Sequence, residues 1–218
     1  MRKLFFVLFL FVCFAVPSLS KVIFSCPRSN QIALTFDDGP SPGFTDKILD
    51  ILKKEKVKAT FFVKGNKSLM HPALLLRIKV AGHDIGNHTY THPALDRVSF
   101  ARIKEELTKT DQIIEKITLT KPKTFRPPHG RLPPYKRRYV ESLGYDVVLW
   151  TILADDFWTR RRGMPSANYI YRRVMGRVRG GDVILMHDNS KEIVIAVAMM
   201  IKSLKKRGFK FVTISEIS

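Results

Sequence analysis

Short runs of β-branched and aromatic residues recur along this chain, separated by longer stretches in which apolar residues return every three or four positions. The short runs, at 32–36, 59–63, 83–87, 124–126, 145–152, 182–186 and 210–214, predict seven strands. The longer ones, at 45–56, 72–80, 99–117, 134–143, 165–178 and 192–206, predict amphipathic helices. Gly82, Gly144 and Gly208 stand just past three of these, where a helix ends in a left-handed residue. Strands alternating with helices imply a parallel sheet with helices over its outer face. Polar residues gather at the C-terminal tips of the strands: Asp37-Asp38, His88, Arg126, Asp155-Asp156 and His187. A barrel brings all such tips onto one rim, whereas an open sheet converges only those at its switch point. The expected fold is therefore α/β, a distorted seven-stranded (β/α) barrel resembling a TIM barrel with one strand fewer.

The first twenty residues follow a different pattern. Arg2-Lys3, an apolar run over 4–16 and Pro17-Ser18-Leu19-Ser20 have the order of a secretory signal, with cleavage expected after Ser20. The alternative is a retained anchor, although the run is short of the roughly 20 apolar residues that span a bilayer. Membrane contact is expected only in that case. An exported protein follows, secreted or held in the cell envelope or periplasm, with one catalytic domain over 21–218. Cys26 is then the only cysteine left, so no intrachain disulfide forms. The formal charge of +19 favours anionic partners such as cell-wall polymers. The cations are spread over helical stretches such as Lys53-Lys54 and Arg172-Arg173, and no nucleic-acid-binding motif accompanies them.

Five segments carry candidate chemistry. Asp37 and Asp38 end an apolar strand before Gly39-Pro40, and neighbouring carboxylates call for a cation or an arginine beside them. His88 and His92 are four residues apart, a spacing that brings both onto one metal in a helical turn or in a loop that folds back. With an Asp from another strand they make the three-ligand set of a catalytic zinc site. Arg126 is followed by two prolines that fix the backbone, so its guanidinium can be held against a carboxylate. Asp155-Asp156-Phe157-Trp158 ends the fourth segment, and Leu185-Met186-His187-Asp188 ends the fifth.

In this order the segments resemble the polysaccharide deacetylase family, also called the NodB-homology domain or carbohydrate esterase family four, over about 32–218. The resemblance implies a metal-dependent hydrolase removing N-acetyl groups from N-acetylglucosamine-containing polysaccharide, peptidoglycan or chitin-like, with release of acetate. It implies Asp37 as general base, His187 as general acid, Arg126 as the residue positioning Asp37, and Asp156 as partner of His187. Asp155 is an alternative partner. Asp38, His88 and His92 become ligands of Zn2+, with Co2+ or another divalent cation as substitutes. His129, Leu185 and Phe157 become substrate contacts, Leu185 for the acetyl methyl and His129 through its backbone N–H. Three positions depart from the family pattern: His129 replaces a usual Tyr, Leu153 an Asp and Phe157 a Trp. The other readings are an O-acetyl-xylan esterase, a deformylase of a lipid-linked sugar, and a non-catalytic metal-containing glycan-binding module.

Overall fold

The structure, a computed structural model, describes residues 21–27, 30–161 and 163–217. The expected signal at 1–20 lies outside the described residues. Among the described residues, nine strands form one parallel sheet: β1 (Val22–Ile23), β2 (Gln31–Asp37), β3 (Thr60–Val63), β4 (Asp84–Asn87), β5 (Thr124–Phe125), β6 (Asp146–Val148), β7 (Ile152–Leu153), β8 (Val183–His187) and β9 (Lys210–Phe211). Their order is β1-β6-β5-β4-β3-β2-β8-β7, with β9 beside the start of β2. Strands β6 and β7 stand near opposite ends of this path, yet only residues 149–151 separate them in the chain. Such a short connection requires the sheet to curl almost fully around, so the fold is a distorted α/β barrel with an unpaired seam between β6 and β7.

The seam corrects one expectation: the run at 145–152 is not one strand but two. It cannot pair with β5 on one side and β8 on the other without leaving the sheet between them, and it does so at Leu149–Thr151. The carbonyls freed by the break are met by the Arg126 guanidinium, whose Nε donates to Val148 O at 3.3 Å and Nη2 to Leu149 O at 3.0 Å. β1, missed in the sequence because it is two residues long, flanks β6 near this seam.

Seven α-helices of the described residues cover the outside: α1 (Thr45–Lys54), α2 (Gly65–Met70), α3 (Pro72–Val80), α4 (Phe100–Thr118), α5 (Pro134–Ser142), α6 (Ala167–Met175) and α7 (Lys191–Lys206). α2 escapes a pattern search because it has six residues and no capping side chain. The two-residue period of the strands sorts their side chains. Ile32, Leu34 and Phe36 of β2 and Ile184 and Met186 of β8 pack outward against the helix layer, with Ile48, Leu52, Val197 and Ile201. Ala33 and Val183 point inward with Phe62, Val148 and Ile214. The same alternation carries Thr35 and Asp37 inward, and the register pairs Asp37 with His187 across β2 and β8.

Candidate active site

The site occupies the C-terminal rim, where each side chain is delivered by a strand end. Asp37 is the last residue of β2 and is buried. Its Oδ1 accepts from Arg126 Nη1 at 2.8 Å, and the same nitrogen donates to Thr35 Oγ1 at 2.7 Å. Arg126, just after β5, is fully buried, with its guanidinium 4.1 Å from the Phe62 ring centroid. Burial opposes its charge, and the facing Asp37 carboxylate partly offsets that.

Asp38, His88 and His92 come together beside Asp37. Each offers a ligand atom, and these atoms all lie within 4.8 Å of one another. Asp38 Oδ1 is 3.4 Å from His92 Nε2 and 3.8 Å from His88 Nε2. His88 Nδ1 lies 2.7 Å from the carbonyl of Arg126. A carbonyl only accepts, so Nδ1 carries the proton and the Nε2 lone pair faces Asp38, the tautomer a metal ligand needs. Asp38 Oδ1 is buried and has no hydrogen-bond partner. An orphaned carboxylate oxygen between two imidazole nitrogens fits a divalent cation. Burial raises the Asp38 pKa, but His88, His92 and His187 around it outweigh burial and hold it below the usual carboxylate value. Burial and the neighbouring His88 push His92 down to about 4, so its imidazole is neutral and free to ligate.

The His88–His92 segment is a loop that folds back, not a helical turn: Thr89 and His92 have φ of 67° and 66°. Asp38, His129 and Asp155 also take positive φ, at 73°, 59° and 59°. Non-glycine residues in this region carry strain that surrounding structure must hold, and such strain gathers at functional sites. Part of the support comes from Glu106 on α4, which sequence reasoning missed. Its carboxylate accepts from the N–H groups of Tyr90 and Thr91, both at 2.7 Å, and from Thr91 Oγ1. Its only signal in the sequence is a charged residue on the inward face of an amphipathic helix.

Across the cavity, His187 ends β8. Its Nδ1 donates to Asp156 Oδ1 at 2.9 Å, and its backbone N–H to Asp156 Oδ2 at 2.7 Å. Burial alone would lower the His187 pKa; the hydrogen bond and charge of Asp156, with Asp37 and Asp38, lift it to about 9. Asp155 points elsewhere, accepting from Tyr169 Oη at 2.9 Å, so Asp156 and not Asp155 meets His187. His129, Leu185 and Phe157 all line the cavity, which measures about 380 Å3. Leu153, one of the departures from the family pattern, and Trp150, not singled out in the sequence, line it too. The Trp150 ring lies against Gly130, at φ +66°, where a Cβ would come within 2.5 Å of it.

The sequence matches the family model described as polysaccharide deacetylase over residues 25–148. It is 38% identical over 191 residues to the peptidoglycan-N-acetylmuramic acid deacetylase PdaC of Bacillus subtilis, an alignment covering 88% of this chain and 39% of PdaC. The chain thus spans about two fifths of that curated relative. Among solved structures, a peptidoglycan N-acetylglucosamine deacetylase bound to an N-oxidanyl-benzamide superposes with a TM-score of 0.85 at 36% identity, covering 90% of this chain and 92% of the other. A CE4 family pseudoenzyme from Bacillus anthracis superposes with a TM-score of 0.82 at 30% identity, covering 93% and 69%. With the barrel, the rim residues and these likenesses in agreement, this chain belongs to the polysaccharide deacetylase family.

Proposed function

We propose that the chain hydrolyses N-acetyl groups of N-acetylglucosamine-containing polysaccharide, releasing acetate, with Zn2+ held by Asp38, His88 and His92. The observation that carries this reading is the pair of separately anchored groups beside the three ligands, Asp37 on Arg126 and His187 on Asp156. A purely structural metal needs neither a base nor an acid. Two imidazoles and one carboxylate suit zinc, or Co2+ in its place, better than the all-oxygen shells of magnesium or calcium. Bound there, the ion supplies Lewis-acid polarisation of the acyl oxygen.

The protein's own groups account for the proton movements. Asp37 takes the proton from the water whose oxygen attacks the acyl carbon, and Arg126 keeps that carboxylate aimed. The His129 backbone N–H faces the oxygen on which negative charge develops. His187, charged because Asp156 sits behind it, gives its proton to the departing nitrogen as the C–N bond breaks. Leu185 and Phe157 wall the space beside it and accommodate the acetyl methyl.

Purified protein loaded with zinc is expected to release acetate from peptidoglycan or acetylated chitooligosaccharide. A chelator is expected to stop the reaction, and added Zn2+ or Co2+ to restore it. No acetate from either substrate, with the metal bound, would sink the proposal. That result favours the non-catalytic module, the reading suggested by the likeness to a pseudoenzyme; formate, or acetate from xylan alone, points to the other esterase and deformylase readings.

The Asp156–His187 pair gives the reaction a pH signature. A general acid works while protonated, so kcat is expected to fall on the alkaline side, with a midpoint no higher than about 9 because a cation beside Asp38 counters part of its pull on His187. Asp156→Asn removes the largest raising influence, and the alkaline limb is expected to move to lower pH in a kcat profile. An unmoved limb assigns the acid to another group.

A further inference from the structure

The loops after β4 and β5, which deliver His92 and His129, are tied together away from the cavity by a buried cation. Lys136, in the first turn of α5, donates from Nζ to the carbonyls of Leu95 at 2.8 Å, Asp96 at 3.1 Å and Val98 at 2.7 Å. An ammonium has three protons, and all three are used. The start of α5 is thereby clamped to the turn that leads into α4.

Outside this clamp stands a group of aromatic rings. Phe100, the first residue of α4, meets Tyr139 edge-on at 4.8 Å between centroids and Tyr135 at 6.0 Å. Such a cluster is ordinarily interior, yet Phe100 is 43% and Tyr135 51% exposed. Joined exposed aromatics on a rigid mount mark a contact surface more than a solvated one. α4 follows β4 and α5 follows β5 in the βα order of the barrel, so their first turns lie toward the rim formed by the strand C-termini. The chain segments leading into these two helices are the ones that carry His92 and His129, whose rings are 4.7 Å apart. Exposed cations flank it in sequence: Arg97 and Lys104 about Phe100, and Arg131 and Arg138 about Tyr135.

We propose that Phe100 and Tyr135 form a stacking platform for further sugar rings of the strand being deacetylated, and that this strand carries carboxylates. The substrate class rests on the deacetylase reading above; the platform deepens it by favouring an anionic amino-sugar strand of the peptidoglycan type over a neutral chitin-like one. A pyranose presents a flat face of C–H groups that packs on an aromatic ring, while the Tyr135 hydroxyl reaches sugar hydroxyls. The flanking cations complement carboxylates along the strand. The same cations argue against a second copy of this chain as occupant, since two such patches would bring like charges together.

Co-sedimentation of the full chain with insoluble peptidoglycan or chitin, in an Asp37→Asn background, tests this without turnover. Removing both rings, Phe100→Ala with Tyr135→Ala, is expected to weaken peptidoglycan binding about tenfold, in a chain that still melts in one cooperative transition above the assay temperature. Phe100→Trp with Tyr135→Trp is expected to keep it, and binding is expected to weaken with salt. Equal binding by the alanine variant and its parent overturns the platform, as does self-association in sedimentation velocity that the alanine variant abolishes. Chitin bound as tightly as peptidoglycan overturns the anionic strand. Acetate release is read separately: a chain that binds through these rings but releases none fails as an enzyme and keeps the platform.

Discussion

Asp37→Asn is expected to lower kcat for acetate release by about 10²–10⁴-fold, the usual contribution of general acid–base catalysis, while zinc affinity measured by calorimetry changes only a few-fold. The asparagine keeps the size of the side chain, and its carbonyl can still accept from Arg126 Nη1. What it loses is the basicity that takes the proton from water. Asp37 is not one of the three clustered ligands, and its Oδ1 is already engaged by Arg126 Nη1 at 2.8 Å. The ion is therefore retained while turnover is not. Unchanged turnover would remove Asp37 from the role of base, and loss of zinc would make it a ligand instead.

Arg126→Met is expected to destabilise the fold by about 3–5 kcal/mol in urea unfolding, the range for breaking a buried ion pair from one side. The guanidinium is fully buried and meets Asp37, Thr35 and the carbonyls of Val148 and Leu149. Removing it leaves a carboxylate without its cation and two carbonyls without donors. Adding Asp37→Asn to Arg126→Met is expected to recover part of the loss, because the stranded charge is gone. A single variant as stable as the parent would show that Arg126 serves the reaction alone.

The order of strands and helices was legible because β2, β3 and β8 are short, strongly apolar runs and most helices carry start and stop residues. β1 and α2 were not, being too short to show a period, and the run at 145–152 read as one strand because nothing in its composition reveals that its halves pair with distant partners. The site was legible for a different reason. Asp37 and His187 are costly at the end of an apolar run, and His88 stands four residues before His92, so their presence signals chemistry, and the barrel brings them to one rim. The choice between Asp155 and Asp156 could not be made from adjacent identical residues; it depends on a backbone turn at Asp155, where φ is 59°. Glu106 and Lys136 were hidden because both lie on helices that resemble ordinary solvated surfaces, and only the fold shows them turned inward to hold loops.

The missing rungs between β6 and β7 have a cost beyond architecture. Among the described residues, the guanidinium that bridges this joint also holds Asp37, the proposed base, so substitutions that would widen or re-register the barrel there are expected to disturb that carboxylate too. A change of specificity is therefore expected to be tolerated in the rim loops and the helix starts that carry them, and not at this joint.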